Sequence, residues 1–338
     1  MNDVNLTKRV PAEWEKQQCV LMSFPHEETD WAEEGLNEAL HPFIRIAQAI
    51  AYGEAVYIVC KDKEAIKPHF CSTRNMTFIE IPTNDTWIRD YGYISLYENG
   101  EKKLLDFTFD GWGGKFEAHL DNCVNQHLHQ KGYMGITPLE SVDFVLEGGS
   151  IESDGEGTLL TTSQCLCNPN RNGGLTKEAI EAVLQRTLGT RRVLWLDHGY
   201  LAGDDTDSHI DTLARFVNQN TIAYVKCDNP KDEHYESLQK MEQQLQTFHT
   251  SQDEPYTLVA LPMPKAIVKK GQRLPATYAN FLITNDALIY PTYNDPVDKV
   301  AHEIFKTLFP NKEMIPINSL KLIEQGGSLH CSTMQVAY

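Results

Sequence analysis

The sequence has few basic residues for its length. Its 338 residues include 30 lysines and arginines against 47 aspartates and glutamates, which gives a formal net charge of −17. Binding to nucleic acid depends on clustered lysine and arginine, so nucleic acid is not an expected partner. The same deficit favours a small cationic molecule, because negative charge attracts cations. The 41% hydrophobic content is enough for a large buried core.

Long apolar runs and cysteine frameworks are also missing. Residues 1–9 (MNDVNLTKR) lack the apolar centre of a signal peptide, and no stretch approaches the roughly 20 apolar residues that cross a bilayer. We therefore expect a cytoplasmic protein with no membrane partner. The eight cysteines are scattered without a regular spacing, so reduced thiols are expected. Cys165 and Cys167 have no second cysteine pair to complete a zinc site, and we interpret them as structural.

No linker rich in proline, glycine or serine divides the chain, so a single domain is predicted over residues 1–338, with its core at about 11–336. Amphipathic spacing predicts five helices, at residues 36–52, 117–131, 176–188, 234–248 and 297–309. Short apolar runs between them predict strands at 20–24, 56–60, 78–81, 144–146, 158–162, 193–196, 212–217, 221–225, 258–261, 281–284 and 288–290. The helices start at a nearly constant interval. This indicates an α/β protein built from five copies of a strand-rich unit, as in a propeller.

Five polar segments follow predicted strands, where sites on rigid scaffolds usually lie. They are 84–90 (NDTWIRD), 147–150 (EGGS), 204–211 (DDTDSHID), 273–280 (RLPATYAN) and 326–331 (GGSLHC). If 204–211 is extended, alternate residues share one face, which would align Asp205, Asp207, His209 and Asp211.

These residue types suit chemistry on a guanidinium group. Paired carboxylates bind this planar cation by charge-assisted hydrogen bonds. Its carbon is a poor electrophile, so attack needs a strong nucleophile such as a thiolate. A histidine can protonate the departing ammonia and then activate water. Three different functions stay open: a metal-dependent hydrolase that uses the acidic run as ligands, an amidinotransferase, and a guanidino-binding protein without catalysis.

In this order, and over about residues 11–336, the five segments resemble those of the agmatine deiminase and bacterial-type peptidylarginine deiminase family, within the guanidino-group-modifying superfamily. The resemblance implies a five-bladed, pseudo-fivefold α/β propeller (pentein). It also implies hydrolysis of agmatine to N-carbamoylputrescine and ammonia through a covalent amidino-cysteine intermediate, with peptidyl or free arginine as the alternative substrate. The family needs no metal or other cofactor. A homo-oligomer is compatible with the sequence, which does not determine the oligomeric state.

The resemblance also assigns roles to the site residues. Cys331 would be the nucleophile and His209 the general acid and base. Asp90 and Asp211 would hold the guanidinium, and Glu147 would orient His209 and help to bind the same group. Trp87 would pack on the aliphatic part of the substrate, and Asp205 would meet its far end.

Overall fold

The computed structural model describes residues 8–338 and confirms an α/β fold. Its strands are β1 Lys8–Arg9, β2 Gln17–Ser23, β3 Ala55–Cys60, β4 Met76–Glu80, β5 Ile94–Glu98, β6 Glu101–Thr108, β7 Leu139–Val145, β8 Ile151–Ser153, β9 Thr158–Thr162, β10 Arg192–Leu196, β11 Ala214–Asn218, β12 Thr221–Lys226, β13 Thr257–Pro262, β14 Val268–Lys269, β15 Gln272–Arg273, β16 Leu282–Ile283, β17 Ala287–Thr292, β18 Glu313–Asn318 and β19 Thr333–Ala337. Its helices are α1 Trp31–Glu34, α2 Leu36–Gly53, α3 Lys63–Ile66, α4 Ile88–Tyr91, α5 Gly111–Gly114, α6 Val124–Gln130, α7 Ser163–Leu166, α8 Lys177–Leu188, α9 Tyr235–Leu245 and α10 Asp298–Leu308.

Five sheets share one strand pattern, which we call a unit. In each unit two antiparallel strands are followed by a helix and then by a strand parallel to the second. The units are β19-β2-α2-β3, β5-β6-α6-β7, β8-β9-α8-β10, β11-β12-α9-β13 and β16-β17-α10-β18. In unit 1, the late strand β19 pairs with the early strand β2, and β4 extends the sheet. The first and last parts of the described chain therefore belong to one sheet.

Local sequence explains the helix α8 well. The Thr176 side chain accepts a hydrogen bond from the Ala179 N–H at the helix start, and Gly189 ends the helix with a φ of 71°. Ile180, Leu184 and Leu188 are buried on one face, at the spacing of helical turns. Such a face packs on its sheet, and the helices α2, α9 and α10 also lie within a few residues of their predicted bounds.

The predicted helix at 117–131 is only partly present. Residues 124–130 are α-helical and Asp121–Cys123 form a 3₁₀ turn, but 117–120 are not helical. The Asn84 side chain accepts a hydrogen bond from the Leu120 N–H, at 2.7 Å. Asp121 in turn accepts from the Asn84 N–H at 2.7 Å. These tertiary bonds replace helical ones, and they fasten this segment to the polar segment 84–90.

Several strands were not predicted, among them β5, β6, β18 and β19. The strand β18 contains Pro316 and lies at the edge of its sheet, the position in which proline is tolerated. Within residues 8–338, no helix combines the length and the apolar character that a membrane span requires.

Candidate active site

Each connection from one unit to the next supplies a side chain to a single buried cluster. Asp90 lies on α4, between β4 and β5, and Glu147 lies two residues after the end of β7. Further links between units hold His209 and Asp211 (β10 to β11), Asn280 (β13 to β16) and Cys331 (β18 to β19). Residues that are distant in sequence are thereby brought together. Loops at the ends of rigid strands can hold such groups in fixed positions.

Cys331 lies in a buried 3₁₀ turn, His330–Ser332. Its Sγ is 3.3 Å from Asn280 Nδ2 and 3.8 Å from Asp211 Oδ2. Burial, with the negative charges of Asp211 and Asp90, raises the pKa of the Cys331 thiol well above its ordinary value. In the free protein this sulfur is therefore a thiol at neutral pH.

Asp211 is held by His330, the residue before Cys331. Its Oδ2 is 2.7 Å from His330 Nδ1, and His330 Nε2 is 2.7 Å from Glu13 Oε2. Burial raises the pKa of Asp211, but the hydrogen bond and charge of His330 bring it below its ordinary value. Asp211 Oδ1 is buried and has no hydrogen-bond partner among the described residues. This oxygen is free to accept a bond from a ligand.

His209 lies between two carboxylates. Its Nδ1 is 3.5 Å from Asp90 Oδ1 and its Nε2 is 3.9 Å from Glu147 Oε2, so neither nitrogen has a hydrogen-bond partner in the described chain. Burial lowers the pKa of His209, but the charge of Asp90, with contributions from Cys165 and Glu147, raises it well above its ordinary value. The imidazole is thus able to carry a proton inside the site.

Asp90 is fixed by two donors. Its Oδ1 accepts from the Gly149 N–H and its Oδ2 from Trp112 Nε1–H, both at 2.9 Å. A Cβ atom on residue 149 would lie 2.7 Å from His209 Nδ1 and 2.8 Å from Asp90 Oδ1, which explains the glycine in the EGGS segment. Burial raises the pKa of Asp90.

Glu147 is bound to a buried arginine for which the sequence suggested no role. Arg171 Nε donates to Glu147 Oε1 and Arg171 Nη1 to Asp207 Oδ2, both at 2.6 Å. Burial raises the pKa of Glu147, but His209 and Arg171 lower it below its ordinary value. Glu147 is therefore an ionised carboxylate whose other oxygen, Oε2, faces His209.

The predicted alignment of the acidic run on one extended face was wrong. Asp207 and Ser208 have φ values of 65°, and a 3₁₀ turn begins at Ile210. The cause is Asp204, whose side chain accepts bonds from the backbone N–H groups of Thr206 and Ser208. This folds the run on itself. As a result His209 and Asp211 face the cluster, whereas Asp207 turns to Arg171 and Lys115.

A pocket leads to Cys331. Trp87 forms part of its wall and packs on Trp31, with ring centroids 5.9 Å apart. Burial, with the charge of Asp204, raises the pKa of Asp205 to about 6. Burial is also the main cause that raises the pKa of Asp85 to about 7. Four aspartates and no basic residue are found among the lining residues: Asp30, Asp85, Trp87, Asp90, Trp112, Phe116, Asp205, Thr206, Gln325, Gly326, Gly327 and Cys331.

The structure thus brings Cys331, His209, Asp90, Asp211 and Glu147 together. Trp87 and Asp205 line the pocket that Asp90 and Cys331 of this cluster also line. Further residues of the site were not predicted: Asp85, Trp112, Cys165, Arg171, Asn280 and His330. Asn280 and His330 lie inside polar segments, so their position in the sequence was a usable signal. Arg171 offered no signal, and Cys165 was interpreted as structural.

Solved structures closely match this fold. An agmatine deiminase of C. jejuni, solved as a cysteine-to-serine variant with substrate bound, is 39% identical; the alignment covers 100% of this chain and 98% of that one, with a TM-score of 0.93. A protein of Porphyromonas gingivalis, provisionally named an arginine deiminase, is 47% identical over 97% of this chain and 98% of its own, with a TM-score of 0.92. A curated relative from Marinomonas sp., provisionally named agmatine deiminase, is 32% identical over 97% of this chain and 94% of its own length.

Fold, site and relatives together define an enzyme class, the hydrolases that act on the C–N bonds of amidines. The family model of the Porphyromonas-type peptidyl-arginine deiminases matches residues 9–337. The chain belongs to that family.

Proposed function

We propose that this enzyme hydrolyses agmatine to N-carbamoylputrescine and ammonia. The observation that carries the proposal is the pocket lining, which holds four aspartates and no lysine, arginine or histidine within residues 8–338. Agmatine carries a cation at each end and no carboxylate. The α-carboxylate of free arginine would meet Asp85 and Asp205, and Lys115, the cation beside Asp205, is already paired with Asp207. The activity for which the C. jejuni relative is named points the same way.

The guanidinium end of agmatine fits the carboxylate acceptors around Cys331. Asp211 Oδ1 lacks a partner within residues 8–338, and Asp90 has lone pairs left beyond its two bonds. A guanidinium offers five N–H donors in a planar fork, which suits two carboxylates on different sides. Trp87 would cover the aliphatic chain, and Asp205 would receive the far ammonium.

The reaction then needs the thiolate of Cys331 and a proton carrier. The Cys331 thiol loses its proton to solvent as the guanidinium binds, and the sulfur attacks the guanidinium carbon to form a C–S bond. Protonated His209 gives its proton to one terminal nitrogen, the C–N bond to that nitrogen breaks, and ammonia departs. The remaining amidino-cysteine keeps the aminobutyl chain on its other nitrogen. A water molecule that loses a proton to His209 adds to the carbon, the C–S bond breaks, and N-carbamoylputrescine leaves with the thiol restored. The sum is agmatine plus water to N-carbamoylputrescine plus ammonia, and Glu147 orients His209 throughout.

A cation in the site should activate Cys331. The pKa of the thiol is raised by burial and by the charges of Asp211 and Asp90, and a bound guanidinium would offset those charges. At neutral pH we expect slow alkylation by iodoacetamide, which is neutral. A cationic α-halo amidine of similar size should inactivate the enzyme at least about 100-fold faster, because a positive charge near sulfur favours the thiolate. Measured inactivation rates, with the small thiol glutathione as the reference for intrinsic reactivity, would decide; equal relative rates for both reagents contradict the idea.

The affinity for agmatine should fall in acid. The pKa values of Asp85 and Asp205 are raised to about 7 and about 6, so both carboxyls become neutral as the pH falls through those values. Neutral carboxyls no longer attract the ammonium, so KM should rise several-fold as the pH is lowered from about 8 to about 5. Initial rates across this range, in a buffer of constant ionic strength, give the profile. The Asp205→Asn variant should flatten its lower part, and an unchanged profile in that variant would contradict the assignment.

The identity of the substrate is tested by measuring ammonia release from agmatine, from free arginine and from a peptide with C-terminal arginine. We expect agmatine to have the highest kcat/KM, and Asp205→Asn to raise its KM by about 10-fold or more through loss of a charged hydrogen bond. Asp228→Asn, an exposed aspartate far along the sequence in unit 4, is the matched control and should leave KM unchanged. Equal or better turnover of the peptide would overturn the agmatine assignment in favour of peptidylarginine.

A metal-dependent hydrolase, an amidinotransferase and a non-catalytic guanidino-binding protein would each differ from this enzyme in product or in requirement. The hydrolase would lose activity on chelation and survive alkylation of Cys331, the transferase would need an acceptor amine, and the binding protein would release no ammonia. Among residues 8–338, Asp205, Asp207 and Asp211 belong to no group of metal-ligand atoms within 4.8 Å of one another, which argues against the acidic run as a metal site.

We further propose that the five units close into a propeller around the site as one domain. The pairing of β19 with β2 supports this arrangement, because it joins the last unit to the first. We also propose a cytoplasmic location and a homo-oligomeric state. Fractionation of cells and sedimentation of the purified protein would test them.

A further inference from the structure

A second buried thiol lies beside the site and has no part in the proposed reaction. Cys165 is in α7, where Thr162 caps the helix by accepting from the Cys165 N–H. Its side chain is fully buried, and its Sγ is 3.9 Å from Glu147 Oε2. A buried cysteine is commonly an apolar space filler. Cys165 does belong to the apolar cluster around Ile180 and Leu184, but its sulfur also lies beside two ionisable groups, Glu147 and His209.

The three side chains offer a set of metal ligands. The ligand atoms of Glu147, Cys165 and His209 all lie within 4.8 Å of one another. In a tetrahedral zinc site with bonds of about 2.0 to 2.3 Å, neighbouring ligand atoms are about 3.3 to 3.6 Å apart. The Glu147–His209 and Glu147–Cys165 separations are both 3.9 Å. Shifts of a few tenths of an ångström at these two contacts would therefore approach such geometry.

An independent observation points to a missing ligand. Both ring nitrogens of His209 are buried and unpartnered in the described structure, although buried polar atoms nearly always have a partner. Arg171 binds only Oε1 of Glu147, and Oε2 accepts only the weak hydrogen bond of the Cys165 thiol, at 3.9 Å. A thiolate, a carboxylate and a neutral imidazole together carry two negative charges, which a divalent cation would neutralise.

We propose that Glu147 Oε2, Cys165 Sγ and His209 Nε2 form a binding site for a soft divalent cation such as Zn²⁺, and that the bound ion inhibits the enzyme. Binding displaces the thiol proton of Cys165 and any proton on Nε2, and water completes the fourth position. The His209 imidazole can then no longer act as a general acid and base. Binding of the ion is independent of the proposed function, whereas inhibition rests on the role of His209 given there.

Cobalt is the probe, because a thiolate bound to Co²⁺ gives a charge-transfer absorption that oxygen and nitrogen ligands do not. We use the full chain with Cys331→Ser, which removes the other thiol of the site. Titration should give one equivalent of this absorption, and excess Zn²⁺ should abolish it. Adding Cys165→Ser should remove the band and weaken Zn²⁺ binding by at least about 100-fold. Adding Cys167→Ser, which replaces the half-buried cysteine two residues on, is the matched control and should change neither.

Different outcomes test the metal site and the inhibition. A band that persists after Cys165→Ser, or that wild type shows and Cys331→Ser lacks, would overturn the site. If Cys165→Ser fails to fold, as judged by its melting curve, Cys165→Ala and His209→Gln take its place with the same expected loss. In wild type, Zn²⁺ should inhibit ammonia release reversibly, with recovery on chelation and protection by agmatine. One equivalent bound without inhibition would leave the metal site standing and would overturn both the inhibition and the role of His209.

Discussion

Replacing Cys331 with serine should lower ammonia release from agmatine by at least about 10⁴-fold while agmatine still binds. A serine hydroxyl is far less acidic than a thiol. The charges of Asp211 and Asp90 disfavour a further anion beside them, so they raise the barrier to forming an alkoxide still more. The carboxylates that hold the guanidinium are unchanged by this substitution. Steady-state ammonia release and calorimetric titration of agmatine measure the two effects separately.

Cys227→Ser is the matched control for this loss. Cys227 is buried directly after β12, and its thiol donates to the Asn229 carbonyl. Its replacement should change the rate by no more than about 3-fold, since it touches no reacting group. Residual turnover by Cys331→Ser within about 10-fold of wild type would remove Cys331 from the role of nucleophile.

Replacing Arg171 with methionine should cost about 3 to 5 kcal/mol of unfolding free energy and most of the activity. The Arg171 side chain is fully buried between Glu147, which is also fully buried, and Asp207. Without the guanidinium, Glu147 is left as an uncompensated charge in the interior. The pKa of Glu147 should then rise, and a neutral Glu147 would no longer orient His209. Urea unfolding followed by circular dichroism gives the free energy, and ammonia release gives the activity.

Arg186→Met removes the same charge from the exposed face of α8, where the arginine side chain has no ion pair among the described residues. This control should stay within about 0.5 kcal/mol of wild type. If both variants lost the same stability, the effect of Arg171→Met would come from net charge rather than from the buried pair.

The repeated helices could be predicted from the sequence because the information that specifies them is local. The apolar spacing of α8, its cap at Thr176 and its stop at Gly189 all lie within one segment. The length of the helix predicted at 117–131 was overestimated, because the Leu120 N–H that would have extended it donates instead to Asn84, more than thirty residues away. Periodicity does not reveal such a competitor.

The residues of the site also fall into those that the sequence reveals and those that it does not. Asp90, Glu147, His209, Asp211 and Cys331 stood out because they follow strands in polar segments that resemble a known family. The shape of the acidic run was mispredicted, as the bonds of Asp204 to its own neighbours outweigh the extended form. Arg171 and Cys165 were missed for a different reason: their partners become neighbours only when the units are assembled.

The pairing of β19 with β2 has a consequence for the order in which the enzyme becomes reactive during synthesis. A ribosome adds Asp90, Glu147, His209 and Asp211 long before it reaches Cys331. The strand that fixes Cys331, β19, then pairs with a much earlier segment, residues 17–23. A nascent chain that stalls before this point lacks both the sulfur and His330, the residue that holds Asp211. The nucleophile and the support of one guanidinium-binding carboxylate are therefore added to the site in the same step.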